Sequence, residues 1–210
     1  MVHCNNCTSD LNAWVNLFKE YQELLGIPVD MNEVFGKLYN HALKGDADCG
    51  GLMAYNYISG EPVTGLADGR PLFMRSAKSK FNLANFMRAN LYASVGVLKI
   101  GNDILFNDEK VKVDRITGHG GLFKTPGVGQ RILAAAINSP ISVMETAGEG
   151  GAWGIALLAG YLVNNKSKMN LADYLDKKVF AGNTGVEIAP TKEDVEGFNE
   201  YIKEYQNCLP

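Results

Sequence analysis

The sequence predicts an α/β fold, and two glycine-rich turns are the main reason. A short strand-like run at 113–117 leads into the first turn at 118–121, and a short β-branched run at 141–144 leads into the turn at 148–151. A segment with helical character follows each turn, and this alternation is typical of α/β nucleotide-binding folds. Glycine lets backbone approach a ligand closely, and a helix N-terminus offers unpaired N–H groups to an anion. The two turns therefore predict a nucleotide site.

Length and composition indicate one folded domain. The 210 residues can bury a single core, and a content of 46% hydrophobic and 10% aromatic residues is ordinary for a globular protein. The net charge of −3, with no basic cluster, argues against a nucleic-acid partner. The sequence has no run of about 18 uncharged apolar residues, so we expect no membrane span.

The cellular compartment is predicted from the N-terminus and the cysteines. The first ten residues lack the basic region and apolar run of a secretion signal. Four cysteines in a chain of this length fit a reduced environment better than a disulfide scaffold. We therefore expect a cytoplasmic protein.

Apolar residues at helical spacing, preceded by good capping residues, predict helices along most of the chain. The expected helices span residues 11–25, 32–43, 82–105, 127–138, 152–163, 171–180 and 191–206. The remaining segments are expected to be a strand end at 1–4, a polar corner at 5–10, a strand within 46–62, a polar loop at 63–80, a turn at 164–170 and an irregular arm at 181–190.

The segment GGLFKTPGVGQRILAAAINSPI (120–141), followed by GEGGAWGIALLAG (148–160), resembles the adenosine-binding end of the FGGY family of carbohydrate kinases. Leu122, after the glycine pair, is closer to the ribulokinase branch than to the glycerol or xylulose kinases. The family's other matching residues lie upstream and extend the resemblance over nearly the whole chain. They are Trp14, Gly51, Leu52, the run 57–61, Arg88 and Ala89.

The resemblance implies the ribonuclease H-like, actin-like ATPase fold and a set of nucleotide-binding residues. Gly118, Gly120 and Gly121 would lie along the adenosine, with Leu122 beside them. Thr125 would form a hydrogen bond near the adenine or the ribose. Gln130 would face either the nucleotide pocket or the helix interior. Ser9 and Asp10 begin a helix that lies near the ATP phosphates in the family, although the family usually has glycine-rich residues there.

The resemblance also implies the activity: transfer of the γ-phosphate of ATP, with Mg²⁺, to a hydroxyl of a sugar or polyol, most commonly a ketose such as xylulose or ribulose. Family members are longer, with an N-terminal domain that supplies most sugar contacts and the catalytic aspartate. We therefore expect residues 1–210 to be the nucleotide-side domain without its first strands. In this interpretation the chain has no catalytic residue and no metal ligand of its own, is inactive alone, and has an open sheet edge that could pair in a homodimer.

Two other functions fit parts of the sequence. Cys4 and Cys7, just before a helix, have the spacing of a dithiol oxidoreductase motif. A zinc site at these cysteines and His3 would need a fourth ligand that no motif spacing supplies. The other candidate is a non-enzymatic nucleotide-binding module of the same fold.

Three polar residues are given structural rather than catalytic roles. We expect Glu61 to cap local N–H groups and His119 to be hydrogen-bonded within its turn. Arg88 is expected to form an ion pair on a helix surface.

Overall fold

The computed structural model describes residues 2–145, 147–164, 168–182 and 185–209. Within them the helices are α1 (Ser9–Leu24), α2 (Met31–Ala42), α3 (Leu83–Asp103), α4 (Val128–Ile137), α5 (Gly150–Asn164), α6 (Leu171–Tyr174) and α7 (Lys192–Asn207). The strands are β1 (Leu52–Tyr55), β2 (Leu72–Arg75), β3 (Ile116–Gly118), β4 (Ile141–Val143) and β5 (Val186–Ile188). The turn predicted at 164–170 lies partly outside the described residues.

Helix α3 is the centre of the core. Every residue from 84 to 97 is buried, and the helix packs against α2, α4 and β1. Asn82 caps its N-terminus, because its side chain accepts a hydrogen bond of 2.9 Å from the backbone N–H of Asn85. The predicted helix of 82–105 is therefore confirmed, and a π-helical turn at Ile104–Asp108 follows it.

Two small sheets flank this core. Strands β3 and β4 pair in parallel, with Ile116 opposite Ile141, and β5 adds antiparallel to β4, with Ile188 opposite Ile141. Strands β1 and β2 form a separate antiparallel ribbon. The parallel pair with α4 between its strands is the βαβ unit that the glycine-turn pattern predicts.

The sequence-based prediction missed two strands and misplaced another. Strand β2 lies in the predicted polar loop, and its first and last residues are exposed. Strand β5 lies in the predicted irregular arm, and its first two residues are exposed. Strand β3 begins at Ile116 rather than at 113, and residues 2–4 form no strand.

A buried ion cluster joins three helices, and it corrects the prediction that Arg88 lies on a surface. The Arg88 guanidinium, on α3, is buried and donates to Asp194 on α7 and to the Tyr92 hydroxyl. The Arg131 guanidinium, on α4, donates to the second carboxylate oxygen of Asp194 at 2.6 Å. Burial acts to raise the pKa of Asp194, but hydrogen bonds from Arg131, Thr191 and Arg88 lower it to about 2.

Helix α5 contrasts with this core, because none of its described side chains is buried. Two of its rings contact rings of the following segment. Trp153 contacts Phe180, and Tyr161 contacts Tyr174 at the end of α6. Among the described residues, no helix is both long and apolar enough to cross a membrane.

Candidate functional site

The two glycine turns lie against each other. The backbone N–H of Gly120 donates to the Ala147 carbonyl at 2.8 Å. The His119 ring lies over Gly150, where an added Cβ would be 3.0 Å from the ring nitrogen Nδ1. An added Cβ at Gly148 would likewise lie 3.1 Å from Cγ of Lys124. Glycine at 148 and 150 therefore lets the side chains of the first turn pack directly on the second.

The backbone of the first turn depends on glycine at two positions. An added Cβ at Gly118 would lie 2.4 Å from the ring of Phe123. Gly120 has φ +108°, a conformation that other L-residues rarely adopt, and its backbone faces open space. A single helical turn at Gly121–Phe123 follows, and then α4.

A cavity of about 310 Å³ lies where this turn meets the first two helices. One wall is backbone and side chains of the first turn, and the other walls are α2 and the start of α1. The lining combines small hydroxyl, amide and aromatic groups with one lysine and no carboxylate. The lining residues are Thr8, Asn12, Asn32, Phe35, Tyr39, Gly121, Lys124 and Thr125.

The structure places the predicted residues of the first turn at different depths. Gly121 and Thr125 line the cavity. Leu122 is buried behind it, and its carbonyl lies against Gly129, where an added Cβ would be 2.5 Å away. Gly118 and Gly120 hold the turn in shape and do not line the cavity.

Gln130 faces the interior, which is one of the two alternatives that the sequence allowed. Its side chain is buried, and Nε2 donates to the carbonyls of Ile141 at 3.0 Å and Val186 at 2.8 Å. These carbonyls belong to β4 and β5. Gln130 therefore ties α4 to the sheet rather than lining the cavity.

Ser9 and Asp10 also lie outside the cavity lining. Ser9 is exposed, and the Asp10 carboxylate accepts a hydrogen bond of 3.2 Å from the Trp14 indole. Burial raises the pKa of Asp10, and this hydrogen bond acts in the opposite direction. Thr8 and Asn12, one turn apart on the same helix face, line the cavity instead.

Gly121 and Thr125 were assigned to the site from the sequence, and the other six lining residues, including Lys124, were missed. Asn32, Phe35 and Tyr39 lie three and four positions apart, so that they share one face of α2. The same spacing relates Thr8 and Asn12. This periodicity was visible in the sequence, but it only shows that residues share a face and does not show what the face meets.

Glu61 caps backbone N–H groups, as predicted, but these groups belong to the N-terminal corner at Asn5 and Asn6 rather than to its own turn. Its Oε2 accepts hydrogen bonds from the backbone N–H groups of Asn5 at 2.9 Å and Asn6 at 3.3 Å. The carboxylate is fully buried. Burial, together with the negative charge of Glu61, raises the pKa of the nearby Cys4 thiol to about 11, and burial also raises the pKa of Cys7. A nucleophilic dithiol needs the opposite shift.

No metal centre is present among the residues that the structure describes. In this part of the chain, no three His, Cys, Asp or Glu side chains are grouped so that they could hold a metal ion. The lining of the cavity likewise contains no carboxylate.

Comparison with known proteins identifies the family. The C-terminal domain of the FGGY family of carbohydrate kinases matches residues 1–163. The chain belongs to the FGGY family of carbohydrate kinases. No curated protein sequence matched it.

Solved structures show which fold this FGGY chain has. The xylulose kinase from Rhodospirillum rubrum matches 97% of the chain at 18% identity with a TM-score of 0.66, over 38% of its own length. The glycerol kinase from Plasmodium falciparum, solved with ADP, matches 93% at 17% identity with a TM-score of 0.63, over 37% of its length. The gluconate kinase from Lactobacillus acidophilus matches 81% at 18% identity with a TM-score of 0.60, over 33% of its length.

These matches confirm the predicted α/β, actin-like ATPase fold of FGGY C-terminal domains. The chain spans less than two fifths of the length of these kinases. The first turn, the cavity and α1 all lie within the residues matched by the family.

Proposed function

We propose that this chain is the nucleotide-binding half of a carbohydrate kinase that transfers the γ-phosphate of ATP to a sugar or polyol hydroxyl, with a ketose such as xylulose or ribulose as the acceptor. The observation that carries the proposal is the cavity formed where the glycine turn at 118–121 meets α1 and α2. Membership of the FGGY family supports the reaction class.

The lining of the cavity suits a nucleotide. Phe35 offers an aromatic surface on which a purine can stack, and Thr125 and Asn32 offer hydrogen-bonding groups for its polar edge or the ribose. Gly121 faces open space where a side chain would otherwise stand. The absence of a Cβ at this position lets a bulky, flat ligand approach the backbone.

The phosphates are proposed to extend towards the start of α1. Thr8 precedes the first residue of this helix, and Asn12 lies one turn further on, so that both are near its N-terminal N–H groups. Lys124 lines the same cavity and carries a positive charge that suits an anion. Gly118, Gly120, Leu122 and Gln130 keep the turn and α4 in position.

Mg²⁺ is proposed to bind with the ATP phosphates rather than to ligands in this cavity, because the lining offers no carboxylate. The ion would neutralise phosphate charge when bound. Phosphoryl transfer also needs an aligned acceptor hydroxyl and a group that accepts its proton. We assign both to the rest of the kinase, because the chain spans only 38% of the xylulose kinase it matches.

The test measures binding of Mg·ATP to the purified chain by calorimetry. Gly121→Leu adds a side chain at a residue that lines the cavity, and no atom lies within 4 Å of the position of the new Cβ. We expect it to weaken binding about tenfold or more, which is at least about 1.4 kcal/mol. Thr125→Val, which removes one hydroxyl, is expected to have a smaller effect. Gly154→Leu is the matched control, because it also adds a side chain into open space but on α5.

Two results would contradict the proposal. Absence of saturable Mg·ATP binding, or equal binding by the Gly121→Leu and Gly154→Leu variants, would remove the nucleotide assignment. Phosphorylation of xylulose or ribulose by the 210-residue chain alone would contradict the division of roles between this half and the rest of the kinase.

A further inference from the structure

A second cavity, of about 370 Å³, lies between the loop at 66–72, the tyrosines of 55–57 and the end of α7. It shares no lining residue with the proposed nucleotide cavity. Its lining is mostly apolar, with one acidic and one basic residue. The lining residues are Tyr55, Tyr57, Leu66, Ala67, Asp68, Gly69, Arg70, Leu72, Cys208 and Leu209.

Buried tyrosines form an apolar wall of this cavity. The Tyr55 hydroxyl donates to the Tyr205 carbonyl at 2.7 Å, and the Tyr205 hydroxyl bonds to that of Tyr57 at 2.8 Å. Burial raises the pKa of both Tyr55 and Tyr57, so that they stay neutral. Because their hydroxyls are engaged within the protein, these residues present mainly ring carbon to the cavity.

The loop that bears the polar residues is held by backbone contacts. Glu61 and Leu66 exchange backbone hydrogen bonds of 2.7 Å and 3.1 Å. Gly60 packs so closely that an added Cβ would be 2.1 Å from the Ala67 carbonyl oxygen, and one at Gly69 would be 2.3 Å from the Ile58 backbone. The loop is therefore preformed, which reduces the entropy lost when a ligand binds.

Asp68 and Arg70 are the two charged residues that line this apolar cavity. Both side chains are exposed. Among the described residues, neither takes part in a salt bridge or a side-chain hydrogen bond, either with the other or with a third group. Both charges are therefore available to a ligand, and they are two residues apart on one short segment.

We propose that this cavity binds a free α-amino acid with an apolar side chain. The Arg70 guanidinium binds the α-carboxylate, which its planar fork matches. The Asp68 carboxylate binds the α-ammonium group. The apolar side chain of the ligand lies against the tyrosine and leucine wall, and the volume is within the range of small-molecule sites. A zwitterion is the ligand that uses both charges and the apolar wall together.

The experiment titrates the purified 210-residue chain with L-phenylalanine and follows binding by NMR. The matched probes are N-acetyl-L-phenylalanine, which lacks the ammonium charge, L-phenylalaninamide, which lacks the carboxylate, and L-alanine, which lacks the large side chain. The protein variants are Asp68→Asn and Arg70→Gln, with Asp176→Asn and Lys178→Gln on an exposed distant segment as charge-matched controls. Ala67→Phe fills the cavity from an exposed lining position without changing either charge.

We expect L-phenylalanine to bind saturably, and Asp68→Asn and Arg70→Gln each to weaken it about fivefold to tenfold. N-acetyl-L-phenylalanine should be insensitive to Asp68→Asn but sensitive to Arg70→Gln, and L-phenylalaninamide should show the reverse. Ala67→Phe should abolish binding, and the two controls should leave it unchanged.

The proposal is overturned if L-phenylalanine shows no saturable binding, or if either charge variant binds it as tightly as the unmodified chain. It is also overturned if L-alanine binds equally well, since the apolar wall would then contribute nothing. The nucleotide proposal is unaffected by any of these results, because the two cavities share no residue.

Discussion

Helices α3 and α5 are both rich in small apolar residues, but only α3 is buried. Helix α3 contains arginine, lysine, aspartate and asparagine, and yet its residues 84–97 are all buried. Helix α5 has no charged residue, and yet Ile155 is 69% exposed and Leu162 is 82% exposed. Composition alone therefore does not decide which of the two helices forms the core.

The difference lies in the contacts that surround each helix. Asn85 on α3 accepts from the backbone of Asp46, and its amide donates to the Asp46 carboxylate and the Lys80 carbonyl. Polar groups on α3 are therefore buried with partners, which removes most of the cost of taking them out of water. On α5, Trp153 packs on the Phe180 ring and Tyr161 packs on the Tyr174 ring of α6. Stability should thus be sensitive around α3 and insensitive around α5.

The largest expected effect is that of Asp194→Asn. This change leaves the buried Arg88 guanidinium without its carboxylate partner, and we expect a loss of about 3–5 kcal/mol in the free energy of unfolding. Urea denaturation measures it. The control is Asp173→Asn in α6, which breaks an exposed pair with Lys177 and should cause no measurable change. Equal effects of the two variants would show that the buried cluster does not hold the core.

Two Leu→Ala variants, one on each helix, compare the contributions of α3 and α5 to stability directly. Leu91→Ala on α3 removes a fully buried side chain, and we expect it to cost about 2–5 kcal/mol. Leu158→Ala on α5 removes a side chain that is 44% exposed, and we expect less than about 0.5 kcal/mol. Thermal and urea unfolding should rank them in this order. A comparable loss for Leu158→Ala would mean that α5 contributes as much to stability as α3.

Low pH should reduce the free energy of unfolding, because the Asp194 carboxylate that pairs with Arg88 on α3 becomes protonated. Its pKa falls from 3.8 to about 2 on folding, so the resulting stabilisation is fully present above about pH 4 and is lost as the pH falls towards 2. The expected contribution is about 2 kcal/mol. Urea unfolding from pH 5 to pH 2 should show this loss, and Asp194→Asn should reduce the pH dependence. If the Asp194→Asn variant showed the same pH dependence of the free energy of unfolding, other carboxylates would be responsible for that dependence.

Removal of the N-terminal caps of α3 and α6 should give a smaller difference in stability. Asn82→Ala removes the cap of α3 and should cost about 1 kcal/mol. Asn170→Ala removes the equivalent cap of α6, whose backbone bond to Asp173 is 2.8 Å. Because α6 can open without disturbing the core, we expect Asn170→Ala to leave global unfolding unchanged while it speeds amide exchange in α6. A drop in global stability for Asn170→Ala would show that α6 unfolds together with the core.

The smallest expected effect concerns the cysteines. Since the pKa of Cys4 is raised to about 11, it should react with a thiol reagent at neutral pH more slowly than the exposed Cys208. Two double variants isolate the rates. Cys7→Ser with Cys208→Ser leaves Cys4 to react, and Cys4→Ser with Cys7→Ser leaves Cys208. Rapid reaction of Cys4, or a Cys4–Cys7 disulfide that cycles at mild potentials, would favour the dithiol alternative.

Features encoded by local pattern were predictable. The glycine turns, the capped helix at 82–105 and the strand–helix alternation all follow from backbone preference and periodicity. The structure adds that the two turns meet, through Gly120 and Ala147. Features that depend on distant partners were not predictable. Strand β5 exists because β4 pairs with it, although its own residues are mostly exposed.

The candidate site shows the same division. Gly121 and Thr125 were predicted from the resemblance to the family, and both line the cavity. The contributions of Asn32, Phe35 and Tyr39 depend on the angle at which α2 meets the turn, which no local pattern specifies. Gln130 matched the family pattern, but its neighbours 11 and 56 residues away determine that it bonds to the sheet.

Helix α7 returns the end of the chain to the core after α5 and α6. The Tyr201 hydroxyl bonds to the carbonyls of Ala54 and Ala89, and Asp194 reaches both Arg88 and Arg131. A protease that cuts within α5 or α6 should therefore yield two pieces that co-elute on a sizing column and separate only in denaturant. The amino-terminal piece would retain every residue that lines the cavity at the glycine turn.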